Sequence, residues 1–491
     1  MTSTTPDPKR ERIVVIDAGL VDTRFALIDA SDLIDFHPAG PWAEPEPSMT
    51  GRVYAGRVTR LLKGANAALV EIGLSEPGFL SAKRARTGPP GAAPVRIERL
   101  VHEGESLLLQ AVSDPRPGKG AHLTRNLTIA GRYTILAPNC SGISLSRRIG
   151  ADAERTRLTA ALSAILNGRT GAAAMGWTVR AAAAGAPTDV LSRDVDRLLG
   201  QWRRIGERWT RGVGGRLDEP ADGLQWAVRD FIPEDVHGIQ VTDRAAAAAL
   251  RQYLSDTAPH LSDRVQFASA PDDMRQLVAD AVDRATQPIV ELPSGGRISI
   301  ETTAAVTAID VDSASASPAG TAEQIAVRVN SEAMLEIARQ LRLRDLGGLI
   351  VVDALRMREA SSRKHMIDAW RRAMFTDPAA HRVGTLSPFG LLELTRRSLR
   401  GALALRLFEG AVRPAPLRRL RFVVGDLFAD IRRVGQENPG RRILIVTSSD
   451  ISDWIDTHGA AAYGALSNEL GFRLERICER DWPARRYDVR P

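Results

Sequence analysis

The stretches "TAIDVDSASAS" (307–317) and "RDLGGLIVVDALRM" (344–357) each drive an apolar run into a carboxylate, Asp310 and Asp353. "AAVTAID" (304–310) and "LIVV" (349–352) have the length and branched composition of buried strands. Between them, apolar residues recur at Ile325, Val329, Ala333, Ile337 and Leu341, the spacing of one helical face, and Gly347-Gly348 offers a helix stop. Strand, helix and strand predict a crossover between two parallel strands of one sheet. Parallel strands end on the same side, so Asp310 and Asp353 would emerge together at the carboxyl rim, where open α/β sheets place ligands. Two carboxylates there suit Mg²⁺, which binds through one or two carboxylates, retained waters and substrate phosphates. Such an ion can polarise a phosphodiester and activate water. Asp312, two residues along, would share Asp310's side of the strand. The competing reading has these aspartates cap turns or pair with the many arginines.

The chain has 491 residues, enough for several cores, with 44% hydrophobic and 25% charged residues, ordinary values for a globular protein. No run of about 18 apolar residues occurs, so no membrane span is predicted. The polar start "MTSTTPDPKRER" lacks a signal peptide's apolar stretch, which predicts a cytoplasmic protein. The net charge of +7 is carried almost wholly by arginine, lysine occurring only at Lys9, Lys63, Lys83, Lys119 and Lys364. That balance is compatible with nucleic acid without establishing it. Cys140 and Cys478 are too few for a disulfide framework or a four-thiolate zinc site, and both read as small core residues of a protein in a reducing compartment.

Near the N-terminus, "RIVVIDAG" and "TRFALID" read as strands, with Asp17 as a turn residue. The stretch 51–85 alternates short strands with Gly and Asn turns, and more strands follow from Glu105 to 138, the pattern of a small antiparallel barrel. Barrels of the oligonucleotide-binding kind stack bases on aromatics and track phosphates with cations, work that suits Phe79, Lys119 and Arg125; Phe79 packing the barrel interior is the equal alternative. Helical periodicity dominates 151–226, broken by a strand at "GWTVR", and "DRAAAAALRQYLSD" (243–256) is a further helix. "QPIVELPSGGRISIETT" (287–303) predicts a hairpin turning on Ser294-Gly295-Gly296.

Several of these segments resemble the catalytic region of the ribonuclease E/G family: "LPSGG" (292–296), "TAIDVDSA" (307–314), "IARQLRLRDLGGLIVVD" (337–353) and "SPFGLLELTRR" (387–397). "VYAGRVTR" (53–60), "GFL" (78–80), "GKGAHLT" (118–124) and "GISLSRR" (142–148) follow the family's order, and 418–491 looks like the small domain of the shorter ribonuclease G type. The resemblance implies a mixed α/β and α+β multidomain chain. An RNase H-like subdomain (1–42 and 227–285) would carry an inserted OB-fold RNA-binding barrel (43–125) and a helical 5′-phosphate sensor (126–226). A deoxyribonuclease-I-like catalytic subdomain (286–400) and a linker with a small C-terminal α/β domain (401–491) would follow. It implies cleavage of single-stranded RNA by Mg²⁺-activated water, leaving 5′-phosphate and 3′-hydroxyl ends. Asp310 and Asp353 match the metal-binding aspartates, Arg147 and Arg148 match cations near the scissile phosphate, and Phe79 and Lys119 match barrel contacts. Arg180 matches the arginine that senses a 5′-monophosphate, and Arg382 matches a second cation there.

The chain also departs from the family. Asp312 replaces an asparagine, an added carboxylate that would either tighten the ion or repel the approaching phosphate; two unit charges about 4 Å apart at an effective dielectric near 20 repel by about 4 kcal/mol before the ion and counter-charges offset it. Ser315 and Ser113 replace basic residues, Leu69 an aromatic, and Ala181 a threonine of the sensor. The segment 396–416, where the family shares zinc between protomers, has no Cys or His, so zinc is not expected and any homodimer must use protein surface alone. Two functions follow as expectations: a Mg²⁺-dependent endoribonuclease, or a catalytically weak RNA-binding relative.

Overall fold

The computed structural model describes residues 11–30, 32–41, 48–87, 95–115, 119–219, 221–268, 272–303, 305–316, 320–409, 417–471 and 474–491. Backbone packing divides the chain into one unit of Met1–Trp42, Asp235–Ala248 and Arg264–Pro491, and another of Ala43–Glu234 and Ala249–Asp263.

In the first unit, the N-terminal strands Arg12–Ala18, Thr23–Asp29 and Asp32–Ala39 form an antiparallel meander, and Gly238–Val241 and Val265–Phe267 join it in parallel. Asp17 lies within the first strand, not in a turn, and accepts a hydrogen bond from Thr242 Oγ1 at 2.9 Å. The neighbouring parallel strand brings Thr242 to it, a partner invisible to local reading.

The aspartate-bearing sheet has six strands, ordered Ile289–Glu291, Arg297–Thr302, Val306–Asp312, Gly348–Asp353, Leu391–Arg396 and His381–Leu386. Val306–Asp312 and Gly348–Asp353 are parallel, joined by the expected crossover helix Ala322–Leu343. Thr321 and Gln324 form a reciprocal capping box at its start. The helix stops earlier than the glycine pair: Arg344 is its C-cap and Asp345 takes the left-handed turn, with φ +47°. Asp345 can hold that conformation because it is buried and accepts hydrogen bonds from Arg396, Ser398 Oγ and the Leu399 and Arg400 amides.

Ile298, Ile300, Ile309, Val311, Ile350, Val352, Leu392 and Leu394 bury one sheet face against the crossover helix and helix Ala360–Phe375. Alternation turns Ala308, Asp310, Asp353 and Glu393 to the other face, where they are exposed. The C-terminal strands Ile443–Thr447, Leu474–Cys478 and Tyr487–Arg490 form a small sheet beside helix Leu420–Glu437. Cys478 ends an edge strand and is exposed, and Cys140 is half-buried, so neither is the core residue expected.

In the second unit, strands Gly78–Ser81, Ala67–Glu71, Val53–Leu62, Ser106–Ala111 and Leu123–Thr124 form a sheet that the Phe79–His122 bridge nearly closes into an OB-like barrel. A four-stranded sheet, Gly142–Leu145, Gly176–Val179, Thr134–Ala137 and Ile129–Ala130, stands with helices Asp152–Asn167 and Thr188–Thr210. Among the described residues no helix is long and apolar enough to cross a membrane.

Candidate active site

Asp310 and Asp353 are direct register partners on adjacent parallel strands. Both are exposed on the face opposite the packed core, so their carboxylates leave the sheet on the same side, from strands about 4.8 Å apart. Among the described residues neither is hydrogen-bonded nor ion-paired.

The surroundings hold this rim in place. Buried Asn330, on the crossover helix, donates to Leu355 O at 2.9 Å and accepts from Leu355 N at 3.0 Å, fixing the chain just beyond Asp353. Glu323 accepts from the Arg358 and Glu359 amides at 2.9 and 3.1 Å. Its pKa is lowered, chiefly by the Arg358 amide. The "LPSGG" turn braces the other strand. Ser315 donates through both its amide and its hydroxyl to Gly295 O, each at 3.1 Å. Gly295 has φ +90°, and a Cβ there would meet Ser315 O at 2.9 Å; at Gly296 it would meet Val329 Cγ1 at 2.8 Å. Glycine at both positions lets the turn close on the segment that follows Asp312.

Asp312 lies on the same face as Asp310, as its spacing predicts, but not as a free charge. Arg297, its register partner on the hairpin strand, donates to Oδ2 at 2.8 Å, and the Ala314 amide donates to Oδ1 at 2.9 Å. The Ala314 amide, then Arg297, hold its pKa below the ordinary carboxylate value. Arg297, Asn330 and Glu323 escaped the sequence reading. Only the hairpin's alternation, which sets Arg297 in register with Asp312, could have flagged the first.

Arg382 lies on the edge strand of this sheet, exposed and opposite Thr395, separated from Asp353 by the strand Leu391–Arg396. The remaining predicted residues belong to the second unit. Phe79 lies on the outer face of the barrel opposite Leu69, its ring edge-on to His122 with centroids 5.3 Å apart, while Leu80 fills the interior. Lys119 is exposed. Arg125 is half-buried and donates to Leu100 O at 3.2 Å. Arg147 and Arg148 are exposed in the turn after Gly142–Leu145. Arg180 donates to Gly131 O at 2.5 Å, to Arg229 O at 3.2 Å and to Asp230 at 2.9 Å. Burial alone would raise the Asp230 pKa, but Arg229 and Arg180 together hold it low.

The aspartate pair fits a hard divalent cation: among the described residues the two carboxylates are unengaged and no sulfur ligand joins them, at an exposed rim where water and phosphate oxygens can complete the shell. Among the described residues no cluster of three or more Asp, Glu, His or Cys offers a fuller protein cage.

Comparison with known proteins defines the class. The chain matches the Ribonuclease E/G family over residues 128–399. Ribonuclease G of Escherichia coli (strain K12) is 31% identical over 482 residues, covering 95% of this chain and 97% of that protein. Ribonuclease G of Salmonella typhimurium (strain SL1344) is 27% identical over the same shares. Ribonuclease E of Escherichia coli (strain K12) is 33% identical over 401 residues, 79% of this chain but 37% of that longer protein. The chain belongs to the ribonuclease E/G family.

Proposed function

We propose that this protein is an endoribonuclease that cuts single-stranded RNA with a Mg²⁺ ion held by Asp310 and Asp353, releasing 5′-phosphate and 3′-hydroxyl ends in RNA processing or decay in the cytoplasm. The single observation carrying this is the register pairing of the two carboxylates on the face opposite the packed core. When bound there, the ion supplies charge neutralisation at the phosphate and a water acidic enough to attack it. Asp310 and Asp353 hold and orient it. Asp312 orders the end of its strand through the Ala314 amide, and Arg297 offsets its charge where phosphate approaches. In this reading the six-stranded sheet and its helices are the deoxyribonuclease-I-like catalytic part, and the five-stranded sheet is RNase H-like. Phe79 outside the barrel and the cations Lys119, Arg125, Arg147 and Arg148 bind RNA. Arg180 and Arg382 are the cations for a 5′-phosphate, and any homodimer forms through protein surface without shared zinc.

Incubating a short single-stranded RNA with the protein, with and without Mg²⁺, beside Asp353→Ala tests the reading. The expected result is cleavage only by the unsubstituted protein with the metal, with RNA binding retained in the variant. Binding without cleavage by the unsubstituted protein would instead identify a catalytically weak RNA-binding relative.

A further inference from the structure

We propose that Phe389 is the platform on which a base flanking the scissile phosphate stacks, an inference that rests on the aspartate rim being the cleavage site. Phe389 is 89% exposed; among the described residues the next large apolar side chains, Leu335 and Leu405, reach 59%. It stands in the turn between strands His381–Leu386 and Leu391–Arg396. That turn is well built: the Ser387 amide donates to Leu391 O at 2.8 Å, the Gly390 amide to Ser387 O at 3.0 Å, and the Leu391 amide to Ser387 Oγ at 3.2 Å. Pro388 restricts the backbone before the ring, and Gly390 takes φ +85° after it.

Register places this turn at the reactive end of the sheet. Leu391, the first residue after it, is opposite Asp353, which is opposite Asp310. The turn therefore projects from the rim at which both carboxylates end. A phenyl ring so exposed contributes little to the fold's own core. An aromatic face beside a phosphate-cleaving centre is suited to a base, because every base offers a π-face and stacking tolerates sequence. It also favours single strands, whose bases are free to splay onto it. Arg356 and Arg358, exposed on the segment after Asp353, bring positive charge to the same rim for the backbone.

The test uses the full-length protein and a short RNA with one cleavage site, carrying either 2-aminopurine or an abasic residue at a flanking position. In an Asp353→Ala background, 2-aminopurine fluorescence is expected to be quenched on binding, and adding Phe389→Ala removes the quench. In the active protein, Phe389→Ala lowers kcat/KM roughly five- to a hundredfold on base-bearing RNA but leaves the abasic substrate unchanged. Phe389→Trp restores the rate and Phe389→Leu does not. Equal losses on both substrates, or an unaltered quench, overturn the proposal, as does a Phe389→Ala effect confined to self-association, which would make the ring a protein contact. The quench requires no cutting, so failure of the nuclease reading and failure of the stacking role are told apart.

Discussion

Arg297 and Asp312 face one another across the hairpin, 2.8 Å apart and in direct register, so the extra carboxylate beside the aspartate pair has its counter-charge built in. The repulsion anticipated for a bare Asp312 is thereby offset in part. Because this pair is solvent-exposed, the coupling between its members is weak. Single-turnover cleavage across a Mg²⁺ series should show Asp312→Asn altering the rate by less than about fivefold. Arg297→Ala should slow cleavage more, and the loss should shrink when combined with Asp312→Asn. Additive effects would mean that Arg297 acts on RNA independently of Asp312.

Arg180 is already occupied. Its guanidinium serves two backbone carbonyls and Asp230, so a 5′-phosphate must compete with an existing charge-assisted bond. A weak preference for 5′-monophosphorylated over 5′-hydroxyl RNA is the expected outcome, read as the ratio of initial rates. Asp230→Asn should raise that ratio by releasing the guanidinium. A strong preference in the unsubstituted protein that vanishes in Arg180→Ala would show that phosphate displaces Asp230 readily.

The legible part of this site was its backbone. Apolar runs ending at Asp310 and Asp353, with a helical repeat between them, are local signals, and together they determine a parallel crossover and a common rim. "LPSGG" was legible as a turn, though not as a brace for the Ser315 segment, because that contact joins residues 20 apart. What could not be read were side-chain partners from distant sequence: Arg180 with Asp230, or Asp17 with Thr242. Those pairings depend on the packing of segments whose separation in sequence carries no periodic signal. Cys478 misled for another reason: composition predicts burial on average, but an edge strand's outward position overrides it.

Buried Asp22 makes stability depend on pH in the less familiar direction. Arg24 lies 2.9 Å from Asp22 and 2.6 Å from Asp426. Burial, with Asp17 and Asp426 nearby, still lifts the Asp22 pKa to about 6 against the pull of Arg24. The native state therefore holds this proton more tightly than the unfolded chain, whose aspartates titrate near 3.9. The associated cost is absent below about pH 4, grows as pH rises, and is complete above about pH 6. Urea unfolding should show the stability of the native sequence relative to Asp22→Asn falling by about 2 kcal/mol between pH 4 and pH 7. A pH-independent difference would mean that Asp22 titrates alike in both states.

Asn330 offers a way to disturb catalysis without touching RNA or metal. Its fully buried amide is bonded to both the N–H and the C=O of Leu355, two residues past Asp353. Asn330→Ala leaves both backbone groups without that partner, at a cost of about 3 kcal/mol in stability. Relaxation of the segment would shift the Asp353 carboxylate relative to Asp310, and a displacement of about 1 Å at a reacting centre is worth roughly a hundredfold in rate. The expected signature is a large fall in kcat and a higher Mg²⁺ concentration for half-maximal rate, with the Kd for RNA unchanged, measured below the variant's lowered Tm. A variant that loses stability while keeping kcat and Mg²⁺ dependence would show that the rim is held by the sheet register alone.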